Sequence, residues 1–111
     1  MSKIVIIGAG AMGSAFALPC LDNNHDINLV GTHLENEFID SFKKKSNLHP
    51  GLNTQIPQEI KIFKFEKFDE LLKSNVDMIV LGISSKGIEW VADQLSRLYK
   101  DKEIPNLLML T

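Results

Sequence analysis

With 111 residues, 44% of them hydrophobic and 23% charged, the chain has the length and composition of one soluble globular domain with a single packed core. The formal net charge is −2, and we interpret the one basic run, Lys43-Lys44-Lys45, as the solvated end of a helix. Neither feature indicates a nucleic-acid partner. The chain has a single cysteine, Cys20, so it cannot form an internal disulfide, and a reducing cytoplasm is the expected setting. The short apolar run after Lys3 is too short to be a signal-peptide core or a membrane span.

The first half of the chain alternates between strand and helix patterns. Residues 4–7, with the sequence IVII, are β-branched and wholly apolar, so they predict a strand that is buried on both faces and therefore parallel and central. Small and apolar residues at helical spacing predict a helix over 11–24, which Pro19 is expected to kink. A second, shorter strand is predicted over 27–30 and an amphipathic helix over 35–45.

The second half continues the alternation after a long connection. Residues 46–59 have no periodicity and contain two prolines and a glycine, so they predict a loop that is functional or mobile. The elements that follow are a strand over 60–65 near the sheet edge, a helix over 68–74, an apolar strand over 78–81, a helix from 87 and an apolar strand over 107–110. This alternation predicts a three-layer α/β domain, a doubly wound parallel sheet with strand order 3-2-1-4-5, over residues 1–111.

The segment Gly8-Ala9-Gly10-Ala11-Met12-Gly13 has the pattern G-x-G-x-x-G between a predicted buried strand and a predicted helix. In that context the pattern marks a dinucleotide site. Gly8 permits a tight turn, Gly10 lets the backbone approach a pyrophosphate, and Gly13 lets the helix pack on the strand. The N–H groups of Ala11 and Met12 at the helix start would then face the phosphates. We therefore predict a Rossmann-like domain that binds NAD or NADP at this loop; a glycine turn that binds nothing is the alternative.

The end of the second strand bears on the choice of nucleotide. NAD-specific domains usually carry an acid there, whereas this chain has Gly31, Thr32 and His33, and the nearest acid is Glu35. A neutral end does not repel a 2′-phosphate, and Thr32 and His33 have groups that could donate to it. We therefore expect NADPH to be tolerated at least as well as NADH; the alternative is that both side chains face water.

Polar residues also follow the fourth predicted strand. Ser84 and Ser85 lie across the switch point from the glycine loop and either contact the cofactor or cap the next helix. His25, His33 and His49 share no face and have no evident carboxylate partner, so they are expected in loops or on the surface. No Ser/His/Asp set and no metal cluster is recognisable, and we assign neither a catalytic residue nor a metal ligand.

Residues 8–15, with the sequence GAGAMGSA, resemble the opening of NAD(P)-dependent glycerol-3-phosphate dehydrogenases and of ketopantoate reductases. Later landmarks resemble the former family, with departures at Val30 and Ser84, where that family usually has tryptophan and proline. These landmarks are the turn and strand at 23–32, the proline-punctuated loop at 49–60, the segment at 82–85 in place of Val-Pro-Ser, and the strand at 108–111 before a Thr-Lys-Gly motif.

The resemblance implies the cofactor-binding part of an oxidoreductase that reduces dihydroxyacetone phosphate to sn-glycerol 3-phosphate with NAD(P)H, in phospholipid synthesis. It implies cofactor contacts from the backbone at Ala11 and Met12 and from Thr32, and a cytoplasmic, full-length homodimer. Its motif lysine would follow Thr111, and a second catalytic lysine and the substrate-phosphate contacts would lie in a helical C-terminal domain that is lacking here. These residues alone are therefore not expected to turn over substrate. The alternatives are the N-terminal domain of a ketopantoate reductase and a non-catalytic NAD(H)-sensing module.

Overall fold

The computed structural model describes residues 2–45, 48–49, 52, 54–100 and 102–110, without the side chains of residues 11, 12, 42, 54 and 85. The elements in chain order are β1 (Lys3–Ile7), α1 (Ala11–Asp22), β2 (Asp26–Val30), α2 (Asn36–Lys44), β3 (Leu48–His49), β4 (Thr54–Gln55), β5 (Lys61–Phe63), α3 (Phe68–Lys73), β6 (Met78–Leu81), α4 (Ile88–Leu98) and β7 (Asn106–Met109). Single 3₁₀ turns, Phe65–Lys67 and Ser85–Gly87, precede α3 and α4.

Five of the strands form one parallel sheet in the order β5-β2-β1-β6-β7. Counted along the sheet strands alone, this is the predicted order 3-2-1-4-5, with β1 at the centre and β5 at an edge. In the register, Ile4 lies beside Ile27 on one side and Met78 on the other. The predicted doubly wound topology is therefore confirmed.

Side chains of the central strand alternate between the two faces, as the pleat of a strand requires. Ile4 and Ile6 belong to a core that includes Ala17 of α1 and Ile39 of α2. Their neighbours Val5 and Ile7 belong to a second core on the opposite face. That second core is completed by α3 and α4 through Phe68, Leu71, Leu72, Val91 and Leu95. The molecule therefore has the predicted three layers, with helices on both faces of the sheet.

The connection between α2 and β5 departs from the prediction. Instead of an irregular loop, its described part contains the short antiparallel pair β3–β4, and Ile56 is buried beside the first core. His49 of β3 is 1% exposed, so its expected surface position was wrong. Two-residue strands escape detection because hydrophobic alternation needs a run of about four residues.

Smaller differences concern the limits of elements. The third sheet strand ends at Phe63 rather than residue 65, because Phe65 begins a 3₁₀ turn and its N–H donates to Asn36 Oδ1 at 3.1 Å. Pro19 lies inside α1, and its predicted kink stays a prediction. The run 43–45 lies at the exposed end of α2, as predicted. In the part of the chain that is described, no helix has the length and apolarity to cross a bilayer.

Candidate functional site

The turn after β1 depends on glycine at its first position. Gly8 has φ +114°, a left-handed conformation that side chains rarely adopt, and its N–H donates to the Val30 carbonyl at 2.8 Å. A Cβ at Gly8 would collide with the Gly82 carbonyl just after β6. The loop is therefore packed directly between the ends of β2 and β6.

The start of α1 also packs closely against the end of β6. A Cβ at Gly13 would lie 2.6 Å from the Gly8 carbonyl oxygen, and one at Gly82 would lie 2.7 Å from Gly13 Cα. Three glycines therefore allow backbone to meet backbone at this junction. Gly82 was not predicted to have this role, although its place directly after an apolar strand is the signal that could have indicated it.

Gly10 differs from these glycines because it faces open space. It is the N-cap of α1, with φ −69° and ψ 179°, and a Cβ there would meet no described atom within 4 Å. No side chain caps the helix, and no acid lies in its first turn, where the backbone of Ala11 and Met12 is placed. The positive end of the helix dipole is therefore open to an anion beside Gly10.

The Ala9 peptide groups are held by three side chains from different parts of the fold. The Ala9 N–H donates to the Glu35 carboxylate at 3.1 and 3.2 Å. The Ala9 carbonyl accepts from Ser14 Oγ at 3.2 Å and from His49 Nε2 at 2.7 Å, so Nε2 carries a proton. Such contacts preorganise the glycine loop. Neither Glu35 nor His49 was predicted to contact it.

A cavity of about 470 Å³ lies beside this loop, between the ends of β2 and β6. It brings together Thr32, His33 and Ser84, which were predicted to contact a cofactor from outside the glycine loop. Its described lining residues are Thr32, His33, Leu34, Glu35, Ile83, Ser84, Lys86, Gly87 and Trp90. Because Glu35 also contacts Ala9, the cavity and the glycine loop are parts of one site.

The predicted contact residues take different positions around the cavity. The Thr32 hydroxyl accepts from the Leu34 N–H at 3.3 Å. His33 is exposed, and its ring centroid lies 4.8 Å from that of Trp90 and 5.9 Å from that of Phe65, which gives the cavity an aromatic wall.

The two serines were predicted either to contact the cofactor or to cap the next helix. Ser84 is exposed to the cavity, whereas the N-cap of α4 is Gly87 and has no side-chain cap. The N–H of Gly87 instead donates to the Ser84 backbone carbonyl at 2.9 Å. The side chain of Ser85 lies outside the described residues.

The groups with shifted pKa values lie away from this site. Burial raises the pKa of the Cys20 thiol in α1 and of the Tyr99 hydroxyl after α4. A hydrogen bond from the Arg97 guanidinium lowers the pKa of Asp69. Among the described residues, no three His, Cys, Asp or Glu side chains are grouped to hold a metal ion. The chemistry that the site offers is therefore anion binding by backbone N–H groups beside a partly aromatic cavity.

A doubly wound sheet with this glycine loop at its switch point defines the class of dinucleotide-binding Rossmann domains. Residues 3–109 match the family model for the N-terminus of NAD-dependent glycerol-3-phosphate dehydrogenase, and the chain belongs to that family. The match favours this family over ketopantoate reductases, with which the glycine segment alone was equally compatible.

The similar proteins agree with this assignment. The NADP(+)-dependent glycerol-3-phosphate dehydrogenase of Archaeoglobus fulgidus is 32% identical over 91% of this chain and 29% of its own length. The glycerol-3-phosphate dehydrogenase [NAD(P)+] of Bacillus pumilus is 34% identical over 92% of this chain and 28% of its own. The chain therefore spans less than a third of these relatives.

A crystal structure of glycerol-3-phosphate dehydrogenase from Coxiella burnetii shares the fold. Its TM-score is 0.72, its sequence identity 19%, and the match covers 97% of this chain and 31% of that one.

Proposed function

We propose that this chain binds NAD(H) or NADP(H) as the cofactor-binding part of an enzyme that reduces dihydroxyacetone phosphate to sn-glycerol 3-phosphate. The observation that carries the proposal is the uncapped start of α1 at Gly10, where a side chain would meet open space. A cavity at the switch point is joined to the same loop by the hydrogen bonds between Glu35 and Ala9. Family membership supplies the reaction class.

The residues present fit a dinucleotide. Backbone N–H groups at Ala11 and Met12 would hold the pyrophosphate, since α1 has no side-chain cap and no acid in its first turn. Thr32, His33 and Ser84 would contact other parts of the cofactor from the cavity wall. When bound, the nicotinamide supplies or accepts the hydride. The role of this chain is to bind and orient it.

The groups that bind the substrate phosphate and protonate its carbonyl oxygen are proposed to lie in the rest of the protein. The relatives are more than three times as long as the matched region, and the described cavity offers one lysine, Lys86, which is exposed. By the same resemblance, we propose a cytoplasmic enzyme that is a homodimer at full length.

Substitution of Gly10 tests cofactor binding. Gly10→Val should weaken NADH binding more than about tenfold, because a branched side chain would fill the space beside the pyrophosphate. The fold should survive, since the backbone at Gly10 has ordinary angles and the position is open. Titration of nicotinamide fluorescence gives the affinity. Ala15→Val adds the same side chain on an exposed face of α1 and should bind as the unaltered chain does. Equal affinity in Gly10→Val would contradict the proposal.

A further inference from the structure

Glu35 lies just before α2, yet its carboxylate reaches the centre of the site. It accepts the Thr32 N–H at 2.8 Å and the Ala9 N–H at 3.1 and 3.2 Å, so it joins the end of β2 to the glycine loop. Its backbone is fixed as well, because its N–H donates to the Thr32 carbonyl and its carbonyl accepts from the Ile39 N–H. The carboxylate is therefore held in place.

Gly31 makes room for this arrangement. A Cβ at Gly31 would collide with Ile39 Cδ1 and would lie 3.3 Å from Glu35 Cβ. The glycine after β2 therefore lets the segment from Glu35 to α2 fold back over the strand end. An acid that is not at the strand end in the sequence comes to lie beside it in space.

In dinucleotide-binding domains, the charge at the end of the second strand influences the choice between NAD and NADP. An acid at the end of the second strand accepts hydrogen bonds from the adenosine ribose hydroxyls, and a 2′-phosphate needs a cationic or neutral site there. A carboxylate has about four lone-pair positions, so two N–H donors leave Glu35 with acceptor capacity toward the cavity that it lines.

Besides Glu35, the described lining residues with ionisable side chains are Lys86 and His33, and both are exposed. Glu35 is the one acid among the described lining residues, and Lys86 is the one lysine. Lys86 is exposed, so solvent screens its charge, whereas Glu35 is half-buried and held by two backbone N–H groups. The fixed negative charge is expected to act more strongly on a ligand beside it.

We propose that Glu35 sets the cofactor preference of this chain by accepting from the adenosine ribose and disfavouring a 2′-phosphate, so that NADH binds more tightly than NADPH. The inference rests on the proposed function and assigns the choice between NADH and NADPH to one residue. It reverses the expectation from the sequence, which treated the end of the second strand as neutral. The three hydrogen-bond distances to the Glu35 carboxylate are the reason for the change.

The test is a pair of fluorescence titrations, with NADH and with NADPH, on the full 111-residue chain and two variants. The unaltered chain should bind NADH at least about tenfold more tightly than NADPH. Glu35→Gln keeps an acceptor oxygen for the loop but removes the charge, and should reduce that ratio to about threefold or less. Glu37→Gln removes an equal charge from an exposed position in the first turn of α2, outside the cavity, and should leave the ratio unchanged.

The outcomes separate this inference from the function on which it rests. If the unaltered chain binds NADPH as tightly as NADH, or if Glu35→Gln leaves the ratio unchanged, the role of Glu35 is overturned while cofactor binding stands. If neither dinucleotide binds, both proposals are overturned. Where Glu35→Gln fails to fold, equal affinities of the unaltered chain for NADH and NADPH would still overturn the inference.

Discussion

The four glycines around the start of α1 have different surroundings. Gly8 needs its left-handed backbone, and Gly13 and Gly82 need close backbone contact. Gly10 has ordinary backbone angles and an open neighbourhood. Three of these glycines therefore serve packing, and Gly10 is the position whose missing side chain leaves space for a ligand.

This distinction predicts a stability effect at Gly82. Gly82→Ala should destabilise the chain by about 1–3 kcal/mol, because the added Cβ must push Gly13 of α1 away from β6. Gly87→Ala is the control, since its Cβ would lie 3.4 Å from Ile83 Cδ1, an ordinary contact, and φ is −90°. Urea unfolding gives both values. If the urea midpoint of Gly82→Ala equals that of the unaltered chain, the contact between Gly82 and Gly13 adjusts without a cost in stability, and the prediction is wrong.

At the scale of elements, α3 and α4 are joined at the surface of the second core. Tyr99, the C-cap of α4, donates its hydroxyl to the Leu72 carbonyl at 2.6 Å. Arg97 pairs with Asp69 through two hydrogen bonds of 2.8 and 3.1 Å. Both contacts join the end of α4 to α3. The partly buried hydrogen bond of Tyr99 is expected to contribute more, because solvent screens the exposed ion pair.

Tyr99→Phe should therefore cost about 1 kcal/mol at neutral pH, because it leaves the Leu72 carbonyl without this donor. Burial raises the pKa of Tyr99 above its ordinary value of about 10. The unfolded chain then loses the phenol proton first, so the contribution of Tyr99 is complete below about pH 10 and falls as the pH rises through the folded pKa.

Unfolding by urea between pH 7 and 11 measures this effect. The stability difference between the unaltered chain and Tyr99→Phe should be constant up to about pH 10 and shrink above it. A difference that stays constant or grows up to pH 11 would contradict the assigned burial of the hydroxyl.

At the scale of the whole molecule, the described sheet has an apolar edge at β7. Leu107, Leu108 and Met109 are 48%, 37% and 51% exposed, and β7 pairs with β6 on one side. An open strand of this kind offers unpaired backbone groups to another strand. The isolated chain is therefore expected to be marginally stable and to associate with itself.

A second prediction at this scale is that the isolated chain binds cofactor but does not turn over substrate. Hydride transfer to dihydroxyacetone phosphate needs a proton donor and a cationic contact for the phosphate, and we propose that both lie outside these residues. The assay follows absorbance of the nicotinamide band with purified chain, NADH or NADPH, and dihydroxyacetone phosphate. Sustained turnover, with no second polypeptide found by mass spectrometry, would overturn this expectation and make Lys86 of the cavity wall the first residue to substitute.

The sequence by itself determined the architecture and the position of the glycine loop. Continuous apolar runs identify β1 and β6 because a strand buried on both faces has no polar side, and alternation with right-handed crossovers leaves few strand orders. The loop was predictable because its pattern is local, lying within residues 8–13 between a strand and a helix.

The tertiary structure alone decided what surrounds that loop. Glu35 and His49 contact Ala9 across 26 and 40 positions of the chain, and Gly82 meets Gly13 across the end of the sheet. Periodicity reports which face of an element is apolar, but it carries no information about which distant side chain a turn brings back. The residues that directly follow β2 are neutral in the sequence, but in the structure the Glu35 carboxylate lies beside the end of β2, because Gly31 leaves room for the chain to fold back there.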